Sequence, residues 1–495
     1  MDSHIVRSHA DIFRLHPKLG DSRALRRILL LARAAGLKLV QVTKEDDSDH
    51  AEWLAEREYL KSVGEPCDGP TRLDFFGGHV GPLHNPRLDA GNHLGYALVR
   101  SGKFRSVLEA WIKTPAEPSC YLNCACETVE TVPLHKGGPP FRSVLRSVPF
   151  LEQDGHTGCC AHACVRGATL LLASRFGTPA LTYPAISKAA GVTNGKRGLT
   201  YTQIMRALEA AGCNAFAYQG GELFGLDQIT YHFNESGFPV ILGIETDGDV
   251  GHALLIVGHE FDSHAWWPDA ERGYYPSLGD GRDWLSSGLW TGNFVAHDDN
   301  FGPYMNVHRS VVREKGLVAI VPIPRTILLG YDLLAAEAVA ALVLSNDLVV
   351  SALRLGSGSP WKEALLPKGE RLRPVLRTLL LSSTDARAHL EESAYPPRIR
   401  AAYRNTPLPD WVYFVEVSIA SMYGPMLKLG EILLDPAVDI AANPERAIDA
   451  VLLIHLPGLF WKMPFTSDAE PLYVDTDKPA SLLQRPTFAQ LSRQP

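Results

Sequence analysis

The sequence predicts an α+β fold in three parts, and three observations carry that prediction. Segments rich in β-branched and aromatic residues, broken by Gly and Pro, fill residues 70 to 140. A helix dense in Ala and Leu follows over 158–175, with two shorter helices behind it. Near-continuous apolar stretches, "FPVILGIE" and "HALLIVGHEF", then read as paired strands buried on both faces. A chain of 495 residues is longer than one ordinary core fills. The parts are expected at 1–144 (α/β and β-rich), 145–325 (the cysteine-bearing centre) and 326–495 (mixed and helix-rich), with the Pro-rich "VPIPRT" at the second boundary.

Each element has a local reason. Residues 22–61 read as helix, strand, helix, with Asp21 or Ser22 placed to cap the first. "HLGYALVR", "SVLEAWIK" and "YLNCACETVETVPL" read as short strands. "TYPAISKAAG" and "TYTQIMRALEAAG" each have a Thr start and a Gly stop. Residues 262–293, rich in Trp, Gly, Ser and Asp, read as a long surface loop before the strand "NFVAHD". After "GLVAIVPIP" the pattern turns helical in "DLLAAEAVAALVLSNDLVVSALRL".

Composition narrows the function classes. Hydrophobic residues at 45% and charged residues at 21% describe a globular chain. A net charge of -7 supplies no basic field for a phosphate backbone, so nucleic acid is not an expected partner. The longest apolar segment, "LLAAEAVAALVL", is about half of the roughly 20 residues a membrane span needs. The polar opening, with His4, Arg7 and His9, does not read as a signal peptide. A cytoplasmic protein without membrane association is expected, its eight cysteines kept as thiols.

The chemistry concentrates in "FLEQDGHTGCCAHACVRGATLLLASRFG" and the strands after it. A cysteine nucleophile needs a lowered pKa, a base, a group to orient the base, and donors for the oxyanion. Cysteines opening a helix face the positive end of its dipole, which favours thiolate. Gln153 stands just ahead of them, its amide available to an oxyanion hole. His252 begins a buried strand, and Asp298 ends the next one, suited to fix the tautomer of the imidazole. Either Cys159 or Cys160 fits. Cys160 is preferred because that register places Ala163, Cys164 and Gly167 at small, core-facing positions, whereas the Cys159 register puts His162 there. Asp299 is an alternate orienting group.

The order Gln153, Cys-helix, two helices, "GFPVIL", "GHALLIVG" and "HDDNFG" resembles papain-like cysteine peptidases of the branch that removes double-glycine leaders from bacteriocins. The likeness covers about residues 145–325. "QDGHTGCCAHA" is also similar to a Q-D-x5-C-A-H-A motif in uncharacterised bacterial proteins. The resemblance implies a papain-like fold in the centre and a Cys-His-Asp peptidase or isopeptidase. It implies a peptide or protein substrate, a partner protein compatible with such a role, and no metal or organic cofactor. Ala161 and Asp299 stand where the family has Gly and Pro, and the gap from His252 to Asp298 is unusually long. A transglutaminase-like or other thiol acyltransferase, and a binding module that keeps the fold without turnover, are the rival readings.

Three other clusters read as structural. Cys120, Cys124 and Cys126 near His135 alternate like a strand rather than in zinc-ligand pairs. His252, His259 and His264 are spread along an extended strand whose alternation turns the first two to opposite faces. Glu416 and Glu431 fall in "LPDWVYFVEVSIASMYGPMLKLGEILLDP", which reads as a core strand followed by a second strand and a turn.

Overall fold

The computed structural model describes residues 2–6, 10–11, 14, 22–45, 50, 53–54, 57–58, 69–78, 89–100, 107–113, 119–132, 139–153, 159–192, 198–220, 225–246, 251–262, 284–355, 365, 374–393, 395–440, 444–462, 480–481 and 483. Among them lie eleven helices and several sheets, a mixed α/β architecture.

The first helix, α1 (Arg23–Ala34), starts where Ser22 Oγ accepts from the Leu25 N–H at 2.9 Å. Asp21 lies outside the described residues. Leu25, Ile28 and Leu29 form its buried stripe, each contributing about 1.5–3 kcal/mol of transfer free energy. Beside it runs an antiparallel sheet of five strands in chain order, β1 (Asp2–Ile5), β2 (Leu39–Lys44), β3 (Thr71–Phe76), β4 (His93–Val99) and β5 (Val107–Ile112). The second helix expected before residue 61 falls almost entirely outside the described residues.

"YLNCACETVETVPL" is not one strand. A turn at Asn123 and Cys124 divides it into β6 (Cys120–Tyr121) and β7 (Cys126–Val132), and the latter pairs with β8 (Phe141–Ser147). β6 joins the central sheet instead, because Gly258 in the neighbouring strand leaves room for the Tyr121 carbonyl, which a Cβ would meet at 2.2 Å.

Helix α2 (Cys160–Phe176) ends at Gly177 with φ +68. Helices α3 (Tyr183–Ala190) and α4 (Tyr201–Ala210) start from Thr182 and Thr200, whose hydroxyls accept from Ala185 and Gln203 N–H. The remaining central strands are β9 (Cys213–Tyr218), β10 (Val240–Ile244), β11 (His252–Phe261), β13 (Thr291–Asp298), β14 (Gly302–His308) and β15 (Gly316–Pro324); the intervening β12 (Leu285–Ser286) belongs elsewhere. Their order is β14-β13-β11-β10-β15-β9, with β6 alongside β11. Gly167 lets α2 approach β11, since a Cβ there would meet Leu255 Cδ2 at 2.7 Å.

Helix α5 (Leu226–Glu235) packs against β11 and β15 with all ten of its residues buried. Its polar side chains find distant partners: Asp227 pairs with Arg309, the first residue of α6 (Arg309–Lys315), and Glu235 receives His259 and Arg377.

The C-terminal part combines a sheet with five described helices. β16 (Pro374–Ser382), β17 (Trp411–Ile419), β19 (Gly430–Leu434), β20 (Val451–Leu456) and β21 (Leu459–Lys462) form the sheet with β12, while β18 (Leu427–Lys428) pairs with β22 (Ala480–Ser481). Helices α7 (Leu333–Ser345), α8 (Asp347–Leu355), α9 (Ser383–Glu392), α10 (Pro397–Arg404) and α11 (Ala420–Tyr423) accompany the sheet. No single described helix is long and apolar enough to cross a membrane; α7 and α8 together pass on length and composition but bend by 54°.

The expected surface loop needs a correction at its end. Residues 263–283 lie outside the described set, but Leu285, Leu289 and Trp290 are buried, and β12 pairs in parallel with β16. The segment between the base strand and the aspartate strand therefore enters the C-terminal sheet.

Arg377 reaches across the same boundary. Its Nε donates to Glu235 Oε1 at 2.7 Å and its Nη1 donates to Glu416 Oε2 at 2.7 Å, with all three residues buried. Removing a buried cation leaves two carboxylates without its charge. Arg377→Leu is expected to cost about 3–5 kcal/mol in urea unfolding, whereas Arg446→Ala, which breaks an exposed pair with Asp449, should stay within about 0.5 kcal/mol.

Candidate active site

Cys159 is the N-cap of α2 and Cys160 its first residue, so both sulfurs sit where backbone N–H groups point outward. They face different partners. Cys159 Sγ lies 3.1 Å from His162 Nδ1, and His162 Nε2 lies 3.0 Å from Ser187 Oγ on α3. Cys160 faces the start of β11, where the backbone N–H of Ala253, the residue after His252, favours its thiolate. Cys160, Ala161, His252 and Ala253 line one cavity of about 270 Å³, to which Cys159 does not contribute.

His252 opens β11, opposite Ile244 of β10, with its side chain largely buried at 14% exposure. Its Nε2 is 3.1 Å from Asp298 Oδ1 and 3.7 Å from Asp299 Oδ1. Asp298 closes β13 and registers with Gly302, whose φ of +115 turns the chain into β14. The Asn300 N–H also donates to Asp298 Oδ1 at 2.8 Å, fixing the carboxylate in the turn. One imidazole thus faces two neighbouring carboxylates, and Asp299 is the more buried of them. The same three residues bring potential ligand atoms within 4.8 Å of one another, a geometry open to a cation.

Gln153 is buried, and its Nε2 lies 3.5 Å from Asn300 Oδ1, a long contact. The amide therefore sits beside the turn that carries the two aspartates. Sequence reasoning missed Asn300, which holds both Asp298 and Gln153, although Asn in a tight turn after an aspartate is a recognisable signal. It also missed the His162 and Ser187 pair behind Cys159; a His three residues along from a helix cap was the visible clue.

The helix-face argument for Cys160 meets a mixed outcome. Ala163, Cys164 and Gly167 do face β11 around Leu255. His162 is fully buried as well, directed instead toward α3, with its ring 6.1 Å from that of Tyr183.

Electrostatics separate the two thiols in the opposite sense to the cavity. Cys159 is pulled down to about 4, first by the hydrogen bond from Cys160 and then by His162, against its burial. Cys160 is pushed up, first by holding its proton toward Cys159, then by burial and the nearby Cys164 and Asp299, with the Ala253 N–H opposing. Hydrogen bonding between the two thiols and with His162 thus favours thiolate at Cys159 and disfavours it at Cys160.

The other clusters lie elsewhere. Cys120, Cys124 and Cys126 are buried on two different sheets and the turn between them, with Cys126 raised to about 12 by burial. His135 and His264 lie outside the described residues. His259 is held by Glu235, away from His252. Glu416 and Glu431 oppose each other across β17 and β19, both fully buried around Lys428 Nζ at 2.9 and 3.1 Å.

The fold and the site define a mixed α/β protein with a thiol, an imidazole and two carboxylates around one cleft. No protein-family model matches the chain, and no curated protein matches it. Among solved structures, it is similar to the peptidase domain of Streptococcus ComA, a bifunctional ABC transporter involved in a quorum sensing pathway. The likeness has a TM-score of 0.24 and 12% identity, and covers 36% of this chain and 98% of that domain. Similarity of that size carries no argument about chemistry, so the functional reading rests on the geometry.

Cys159 is expected to alkylate readily with iodoacetamide at pH 6. Cys160→Ala removes the largest cause of its low pKa and should slow that labelling, by about tenfold once the Cys159 pKa has risen to about 7. The difference should shrink by pH 9, read by peptide mapping.

Proposed function

We propose that the protein is a cysteine hydrolase acting on a peptide or isopeptide bond, with Cys160 as nucleophile and His252 as base. The observation that carries this reading is the single cavity lined by both Cys160 and His252, the latter with its Nε2 held by Asp298. With Nε2 so engaged, proton transfer from the thiol runs to Nδ1. The S–H proton passes to His252 as Sγ bonds to the carbonyl carbon, giving a tetrahedral oxyanion. Collapse breaks the C–N bond, and His252 returns the proton to the leaving amine. Water then attacks the thioester with His252 as base, the C–S bond breaks, and the thiol is restored.

Two features shape this chemistry. Asp298 and Asp299 together favour the imidazolium that forms during attack. Gln153, in contact with Asn300, offers a side-chain amide for the oxyanion.

The test incubates the full chain with a proteome-derived peptide library and reads new termini by mass spectrometry. Cleavage that vanishes in Cys160→Ala and His252→Ala, but persists in Cys159→Ala, supports the reading; cleavage indifferent to Cys160 overturns it. Acyl transfer to an added amine in place of hydrolysis would reassign the reaction to a thiol acyltransferase. Asp298→Asn alone should lower kcat by about tenfold, because Asp299 still faces His252, and the double Asp298→Asn, Asp299→Asn variant should lose about a thousandfold or more.

A further inference from the structure

Of the two thiols at the head of α2, the hydrolytic chemistry uses one, yet the other has a constellation of its own. Cys159 Sγ lies 3.1 Å from His162 Nδ1, and His162 Nε2 lies 3.0 Å from Ser187 Oγ on α3. With the Nε2 proton donated to Ser187 Oγ, Nδ1 presents its lone pair to the sulfur, and the Cys159 N–H, 3.4 Å from Nδ1, fits the same tautomer. Nδ1 can then take the thiol proton and donate it back to the thiolate. Thiol, base and orienting hydroxyl are thus assembled a second time, separate from His252 and Asp298.

Position along the chain and exposure supply separate observations. Cys159 and Cys160 are adjacent and both partly exposed, whereas Cys120, Cys124, Cys126, Cys164 and Cys213 are buried. An oxidant in solution therefore meets this pair before it meets those five. Cys159 is the N-cap, extended at φ -124 and ψ -177, and Cys160 is the first helical residue. A bond between their sulfurs would close at the edge of the helix, where no intrahelical hydrogen bond of the later turns has to break.

We propose that Cys159 is a site of oxidation by hydroperoxides and that its oxidation locks Cys160 into a reversible disulfide. The peroxide chemistry stands on Cys159, His162 and Ser187, while its consequence for turnover rests on the cysteine hydrolase reading. The Cys159 thiolate attacks the outer peroxide oxygen, an S–O bond forms, the O–O bond breaks, and the departing alkoxide or hydroxide takes the proton held on His162 Nδ1. The sulfur is oxidised by two electrons and the peroxide is reduced by two. Cys160 Sγ then attacks the Cys159 sulfur, the S–O bond breaks, and the Cys160 proton leaves with the hydroxyl as water. Adjacent Cα atoms are about 3.8 Å apart, below the roughly 4.4–6.8 Å usual for a disulfide, so the bond is strained and a dithiol readily returns the two electrons and two protons.

The experiment treats the full chain with hydrogen peroxide, with or without dimedone, then alkylates with iodoacetamide and maps the peptides by mass spectrometry. The wild-type peptide bearing both cysteines should become lighter by two hydrogens, and alkylation of Cys160 should fall about tenfold and recover with dithiothreitol. Cys160→Ala should accumulate the dimedone adduct at Cys159, because the adjacent thiol that resolves the sulfenic acid is gone. Cys159→Ser should keep Cys160 alkylation within about twofold of the untreated protein. In the Cys160→Ala background, His162→Gln, its fold checked by circular dichroism, should slow the Cys159 adduct about tenfold. Absence of that adduct in Cys160→Ala, or Cys160 alkylation lost as fast in Cys159→Ser as in wild type, overturns the inference while leaving the hydrolase intact. Peptide cleavage that continues once the disulfide has formed overturns the hydrolase reading and leaves the oxidation site standing.

Discussion

Glu235 is the charge around which the molecule is assembled. A fully buried carboxylate is tolerable only when its lone pairs are met, and here Asn123 donates to it at 2.8 Å, His259 at 2.5 Å, and Arg377 from the neighbouring sheet. These partners come from the turn after β6, from β11 and from β16. Helix α5, the central sheet and the C-terminal sheet are therefore fixed by one ionic node. Arg377 carries the connection onward to Glu416, and Lys428 carries it to Glu431. Such a node gives little net stability over apolar packing, but it penalises every arrangement in which one member is left alone.

The active-site strand is part of that assembly. His252 and His259 stand on the same strand seven residues apart, the first facing the cleft and the second held in the node. Alternation along a strand lets one element serve both purposes without one imidazole intruding on the other. The cleft is then completed from the other side by α2, which Gly167 allows to sit close to Leu255. The geometry of the candidate site is a consequence of how near a helix can come to a sheet.

Much of this was legible. The Thr caps and Gly stops of α3 and α4, and the apolar runs of β10 and β11, announce themselves because each depends on its own few residues. The convergence of Cys160, His252 and Asp298 followed from order along the chain. Helix α5 was not legible, since the Leu226, Ile229 and Phe233 stripe of "LDQITYHFNE" is short and the polar residues between are buried too, against ion-pair partners dozens to more than a hundred positions away. The split of the Cys120–Val132 segment depended on a glycine in a different strand, and the fate of Leu285 to Trp290 depended on a sheet from the C-terminal part. The division of labour between Cys159 and Cys160 required knowing that His162 turns toward Ser187.

The turn bearing Asp298 and Asp299 has a further meaning in its surroundings. Arg27 of α1 donates to the carbonyls of Pro303 and Tyr304, Arg23 lies over the Phe301 ring at 5.3 Å, and a Cβ at Gly302 would press on Arg27 at 3.1 Å. The N-terminal helix grips the loop that orients the base. A fragment cut at residue 145 would retain Gln153, Cys160, His252 and Asp298 and yet lose the clamp on the turn that carries the aspartate. The working unit of this protein is thus larger than its motif, and a gene trimmed to the motif would encode the parts without the alignment.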